Sequence, residues 1–167
     1  KELKGRRGGV DNDYFGLLYL EKEFKLTRDE ACEQIAYGGN DFGLDGYHVD
    51  RQAKNLYLFQ FKFSNSVNQF VGSMQRLITA GLGRVFESTK QYDENPILRE
   101  IKAKIYELRH VIETVYIEFV LTGDPDKAHE NEALQKLRED LQSRSYLTQC
   151  SRLFCASGSL FSSRPAH

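Results

Sequence analysis

The run Leu56-Tyr57-Leu58-Phe59-Gln60-Phe61-Lys62-Phe63 constrains this chain more than any other part of it. It alternates strictly, as an extended strand with two unlike faces does: Leu56, Leu58, Gln60 and Lys62 on one side, Tyr57, Phe59, Phe61 and Phe63 on the other. The Tyr/Phe face is apolar enough to be core. The other face begins apolar and ends in an amide and an ammonium. An unpartnered polar or charged group in apolar surroundings is costly, so packing alone does not account for Gln60 and Lys62.

What precedes the run supplies partners. Gly38-Gly39-Asn40-Asp41-Phe42-Gly43-Leu44-Asp45 reads as a glycine-rich acidic loop, followed by a short strand and the polar stretch Arg51 to Lys54. If that stretch is a four-residue hairpin connection, Asp50 lies opposite Asn55 and Asp45 opposite Gln60. Residues directly opposite in an antiparallel pair share a face, so Asp45, Gln60 and Lys62 are expected to converge on one side of a sheet edge. A one-residue slip would scatter them. One carboxylate and one amide oxygen suit Mg²⁺ (or Mn²⁺), which keeps several waters and takes few protein ligands. A lysine beside them can orient a water and offset charge on a phosphate. The plainer alternative makes Asp41 and Asp45 turn and cap residues and lets Lys62 snorkel at a strand end.

Gly43-Leu44-Asp45 followed by Gln60-Phe61-Lys62 resembles the metal-site signature of PD-(D/E)xK nucleases, in the Mrr-like variant where Gln replaces the second acid. The wider run is similar to the N-terminal part of the abortive-infection phage-resistance (AIPR) family, closely over residues 27 to 65 and more loosely to about 145. The resemblance implies an α/β fold with a mixed central sheet flanked by helices, a restriction-endonuclease-like core. It implies Mg²⁺-dependent hydrolysis of phosphodiester bonds, with DNA as the expected substrate and phage defence or restriction as the setting. Asp45 and Gln60 would bind metal, and Lys62 would act beside them. Such folds often add an acidic ligand from the first helix, for which Asp13 and Glu21 are the candidates. Asp41 either binds metal through water or fixes its own loop. Proteins of this family are usually much longer, so a C-terminal partner domain absent from this chain is expected; a homodimer is a further expectation. Against the nuclease stands a domain of the same fold that only binds nucleic acid or senses a phage protein.

At 167 residues the chain suits one domain. No apolar run is long enough to span a bilayer and no secretory signal is visible, so no membrane partner and a cytoplasmic location are expected. Cys32, Cys150 and Cys155 lack a Cys-x-x-Cys pair and read as free thiols. The net charge of −1 is unevenly spread: residues 1–50 carry 7 basic and 11 acidic side chains, residues 51–110 carry 10 and 5, and residues 111–167 carry 6 and 8. The basic excess follows the strand of interest, which makes Lys54, Arg76, Arg84, Lys102 and Lys104 candidates for holding a phosphate backbone; a solvated basic helix face would look the same.

Three segments are expected: a basic arm at 1–10, the nuclease-like domain at 11–145, and an edge strand with a tail at 146–167. Asn12 or Asp13 caps a helix to about Phe24, with Phe15, Leu18, Leu17 and Tyr19 inward. Thr27-Arg28-Asp29-Glu30 is a capping box, and Glu33 to Tyr37 either continues that helix or forms a strand. A helix from about Asn68 to Thr89 should break near Gly81, and Pro96 should start another through Arg109. Thr114 to Thr122 is a second alternating strand, far enough along to lie parallel to the first. A helix from Lys127 to Gln142 follows, with Ala133, Leu134, Leu137 and Leu141 inward. His110 and His129 read as solvated.

Overall fold

The computed structural model describes residues 9–37, 41–86, 96–143 and 151–155. Most of the basic arm, Gly38 to Asn40, Cys150 and the tail after Cys155 lie outside them. The chain is mixed α/β. Strands β1 (Gly46–Asp50) and β2 (Asn55–Lys62) form the expected hairpin, with Asp50 paired to Asn55 and Gly46 to Phe59. Strand β3 (Thr114–Leu121) lies parallel to β2, Gln60 beside Phe119, and β4 (Ser151–Cys155) adds in parallel to β3.

Both faces of β2 are buried, because helices cover the sheet on each side. Helices α1 (Asp11–Glu23) and α2 (Arg28–Glu33) pack Phe15, Leu17, Tyr19, Leu20, Ala31 and Cys32 against Tyr57, Phe59 and Phe61. On the other face, Leu56, Leu58, Ile117 and Phe119 meet α3 (Val67–Arg76), a π-helical stretch Leu77–Gly81, α4 (Leu82–Phe86), α5 (Pro96–Leu108), α6 (Pro125–His129) and α7 (Glu132–Ser143). A parallel partner needs a crossover, and the helices between β2 and β3 supply it. Among the described residues no helix is long and apolar enough to cross a membrane.

Several local expectations change. β2 lies between β1 and β3, so Gln60 sits at the end of an interior strand, not at a lateral sheet edge. Leu18 is 46% exposed while Leu20 is buried, because α1 lays down on Phe15, Leu17, Tyr19 and Leu20. Val10, not Asn12 or Asp13, is the N-cap of α1; Asp13 reaches back to accept from the Val10 amide at 2.8 Å. The Thr27–Glu30 capping box forms, and after α2 only Ile35 joins the sheet, as a single bridge to Gly46. At Gly81 the helix widens into the π-helical stretch without breaking. The helix expected from Lys127 divides at Glu130–Asn131, and Ala133 is exposed. Cys32 is buried, and its Sγ accepts from the Tyr37 hydroxyl at 3.7 Å.

Candidate metal centre

Asp45 lies in the residue just before β1, where the hairpin register carried one step further sets it opposite Gln60. Its Oδ2 accepts from the backbone N–H of Phe61 at 2.7 Å and from Gln60 Nε2 at 3.1 Å. Gln60 is 3% exposed, and its Nε2 also donates to the Phe61 carbonyl at 2.8 Å. Those two acceptors determine the amide's orientation: turning it over would set its oxygen against two other oxygens. Gln60 Oε1 is consequently buried with no hydrogen-bond partner. An orphaned acceptor costs about 1–3 kcal/mol, and a cation would relieve it.

The charges around this pair are mostly of one sign. Burial pushes the Asp45 carboxyl up to about 8; the neighbouring carboxylates of Asp41 and, to a lesser degree, Asp13 push the same way, while the Phe61 amide and Gln60 oppose them. The Asp13 carboxyl is raised too, first by its own burial and then by Asp41, against the bond from Val10. Thus the first turn of α1, the loop at Asp41 and the entry to β1 bring three carboxylates within reach of each other's fields. Among the described residues no three His, Cys, Asp or Glu side chains stand close enough to hold one ion together. The protein donors for a cation are therefore Asp45 and Gln60, with Asp41 and Asp13 adding negative potential. An all-oxygen pair that leaves positions for water fits Mg²⁺ or Mn²⁺.

The loop is held by close backbone approach. Phe42 has φ 55° and Gly43 φ 84°, both left-handed. A Cβ on Gly43 would sit 2.9 Å from the Leu77 amide nitrogen, and one on Gly81 would sit 2.8 Å from the Phe42 carbonyl oxygen. The π-helical stretch is thus the surface on which the acidic loop rests, and such stretches recur at functional sites. Asp41 accepts from the Gly43 amide at 2.7 Å and pairs with Arg76 at 3.6 Å, while the Arg84 guanidinium lies 3.7 Å over the Phe42 ring.

The remaining candidates divide. Lys62 alternates onto the face of Gln60 and is half-buried, while the described side chains that act on Asp45 are Asp41, Asp13 and Gln60. Glu21 is held by Arg28 at 2.8 Å, eight residues along α1 from Asp13 and about 12 Å down the helix axis. Arg76 and Arg84 border the loop. Lys54 pairs with Glu113 at the start of β2, roughly 20 Å from Gln60. Lys104 pairs with Glu107 at 3.8 Å, and Glu107 also meets Arg51 of the hairpin turn at 3.5 Å. Lys102 is half-buried on α5. Of these candidates, Arg76 and Arg84 stand at the acidic loop, whereas Lys54 and Lys104 pair with glutamates elsewhere. Glu118, for which the sequence suggests no role, is buried on β3 and accepts from the Tyr19 hydroxyl at 3.0 Å. A carboxylate in an otherwise apolar strand was the available signal.

Searched against protein-family models, curated proteins and solved structures, the chain matches none. The resemblance over residues 27 to 65 rests on its own residues and spacings.

Proposed function

We propose that this domain is a divalent-metal-dependent nuclease on a PD-(D/E)xK-type core, acting on DNA in phage defence. The observation that carries the reading is the orphaned Oε1 of Gln60, whose Nε2 donates to Asp45, at the carboxyl end of β2, where ligand sites of α/β sheets commonly lie. Asp45 and Gln60 would hold Mg²⁺ or Mn²⁺. When bound, the cation would polarise a phosphoryl oxygen and acidify a coordinated water. The chain's own groups do the rest. Asp41 and Asp13 strengthen the negative potential that draws the cation in, Lys62 steadies the water and the charge building on the phosphate, and Arg76 and Arg84 approach the flanking phosphates. Phage defence and DNA rest on the sequence resemblance.

That no three His, Cys, Asp or Glu side chains among the described residues stand close enough to share an ion favours a second reading, in which the same fold binds nucleic acid or a phage protein without cutting. The assay that separates them is cleavage of plasmid and single-stranded DNA with Mg²⁺, Mn²⁺ or chelator, beside thermal melting with each cation. The nuclease reading expects metal-dependent cleavage and a raised melting temperature, with Gln60→Glu active and tighter for metal. No cleavage and no cation-dependent melting shift at millimolar concentration would leave the binding module.

A further inference from the structure

The aromatic face of β2 runs one ring further than the helix that covers it. Tyr57, Phe59 and Phe61 are buried beneath α1 and α2, but Phe63 is 55% exposed. Its position is nonetheless secured. The Phe63 amide donates to Asn12 Oδ1 at 2.8 Å, and its ring leans on Phe15, centroids 5.9 Å apart at 50°. Val10, at the N-cap of the same helix, is 58% exposed. The seated ring thus packs against the first turns of the helix that carries Asp13, whose charge acts on Asp45, and Val10 is exposed at the N-cap of that helix.

From this we infer that Phe63 is a stacking platform for an unpaired base, which makes single-stranded nucleic acid the substrate class of the neighbouring site. The inference rests on the nuclease or nucleic-acid-binding reading of Asp45 and Gln60. Phe63 lies three residues beyond Gln60, roughly 10 Å along the strand, the reach of about three stacked nucleotides. Lys62 and Phe63 point to opposite faces of the strand end, so this end of β2 offers a cation for backbone phosphate and a π-face for a base. Stacking is sequence-tolerant, because every base has a π-face. A base inside an intact duplex has both faces occupied and gains nothing from the ring. Held by Phe15 and Asn12, the ring is already in place before a base arrives.

The chain contains no tryptophan, so Phe63→Trp introduces a single fluorophore at the proposed platform. Titration of that variant with a short oligothymidylate in chelator, so that nothing is cut, should quench the indole and show tight binding; a duplex of the same length should not quench it. Phe63→Ala, checked for folding by circular dichroism, should weaken oligothymidylate binding by about ten-fold or more, as loss of one stacked base does, and leave duplex binding unchanged. Wild-type protein that binds oligothymidylate as tightly as Phe63→Ala does would overturn the stacking role while leaving the nucleic-acid reading intact. Wild-type protein that binds neither nucleic acid would overturn both. Equal loss for single strand and duplex would show that Phe63 only supports the fold of the site.

Discussion

The two ends of β2 carry the same residue types and treat them in opposite ways. At the hairpin end, Asp50 accepts from the Ala53 amide at 2.8 Å, Lys54 pairs with Glu113, and Arg51 and Lys104 share Glu107. Those side chains are largely exposed, and each charge has a partner of opposite sign or a turn amide. At the other end, Asp45 feels the charges of Asp13 and Asp41, and one amide oxygen is orphaned. Surface ion pairs in high dielectric contribute about 0–1 kcal/mol, so the hairpin end needs no function to explain it. Buried like charges and an unsatisfied acceptor cost stability, and their concentration at one end is the observation on which the metal-site proposal rests.

The largest effect expected is on chemistry. Asp45→Ala should abolish metal-dependent cleavage. Lys62→Ala should lower it by about 10²–10³-fold, the worth of one preorganised charge near a transition state. Neither variant should lose its circular dichroism signature. Cleavage of single-stranded DNA by the Lys62 variant at the wild-type rate would show that Lys62 lies outside the reaction and that the two ends differ only in metal binding.

Next in size is the loop. Gly43→Ala sets a Cβ against the Leu77 backbone at a φ of 84°, which costs about 1–2 kcal/mol for the left-handed backbone alone. Denaturant titration should show that loss together with weakened cation binding. If stability falls and cation affinity does not, the loop's contact with the π-helical stretch is irrelevant to the site.

The third test is pH. An unfolded Asp45 would ionise near 4, whereas the folded carboxyl is pushed up to about 8. The folded state therefore holds this proton between those values while the unfolded state does not. The stability that goes with the proton is full below about pH 4, falls as pH rises, and is gone once pH passes the folded value of about 8. Asp13, also raised, contributes with the same sign. Melting curves of the metal-free protein should show this decline, and Asp45→Asn should flatten it. Because a cation must displace the proton, its melting shift should grow from pH 6 to pH 8.5. A cation shift independent of pH would place the ion away from Asp45.

The smallest effects belong to the hairpin end. Arg51→Ala and Lys54→Ala should each change stability by about 0.5 kcal/mol or less and leave metal and nucleic-acid binding untouched. Loss of binding in either variant would erase the contrast between the two ends.

Much of the sheet was legible because its determinants are local. Alternation assigned both faces of β2 and of β3, and the length of the Arg51 to Lys54 turn set the register that brings Asp45 to Gln60. The capping box at Thr27 and the start of α5 at Pro96 were also readable, since a cap is a matter of a few adjacent residues. Helix faces were less so. Leu18 looked inward by spacing alone, but the tilt of α1 on the aromatic face decides which rows are covered.

Period and turn length are counted along the chain, so they fix which side chains β2 presents and which residue of the hairpin stands across from Gln60. Packing between distant segments settles that Asp13 joins Asp45 while Glu21 is held by Arg28, that Arg76 and Arg84 border the loop while Lys54 stands at the far end, and that β2 is interior. Those outcomes depend on where α1 docks and on how the Phe42–Gly43 backbone meets Leu77 and Gly81. Such contacts join residues dozens of positions apart, and no local period encodes them.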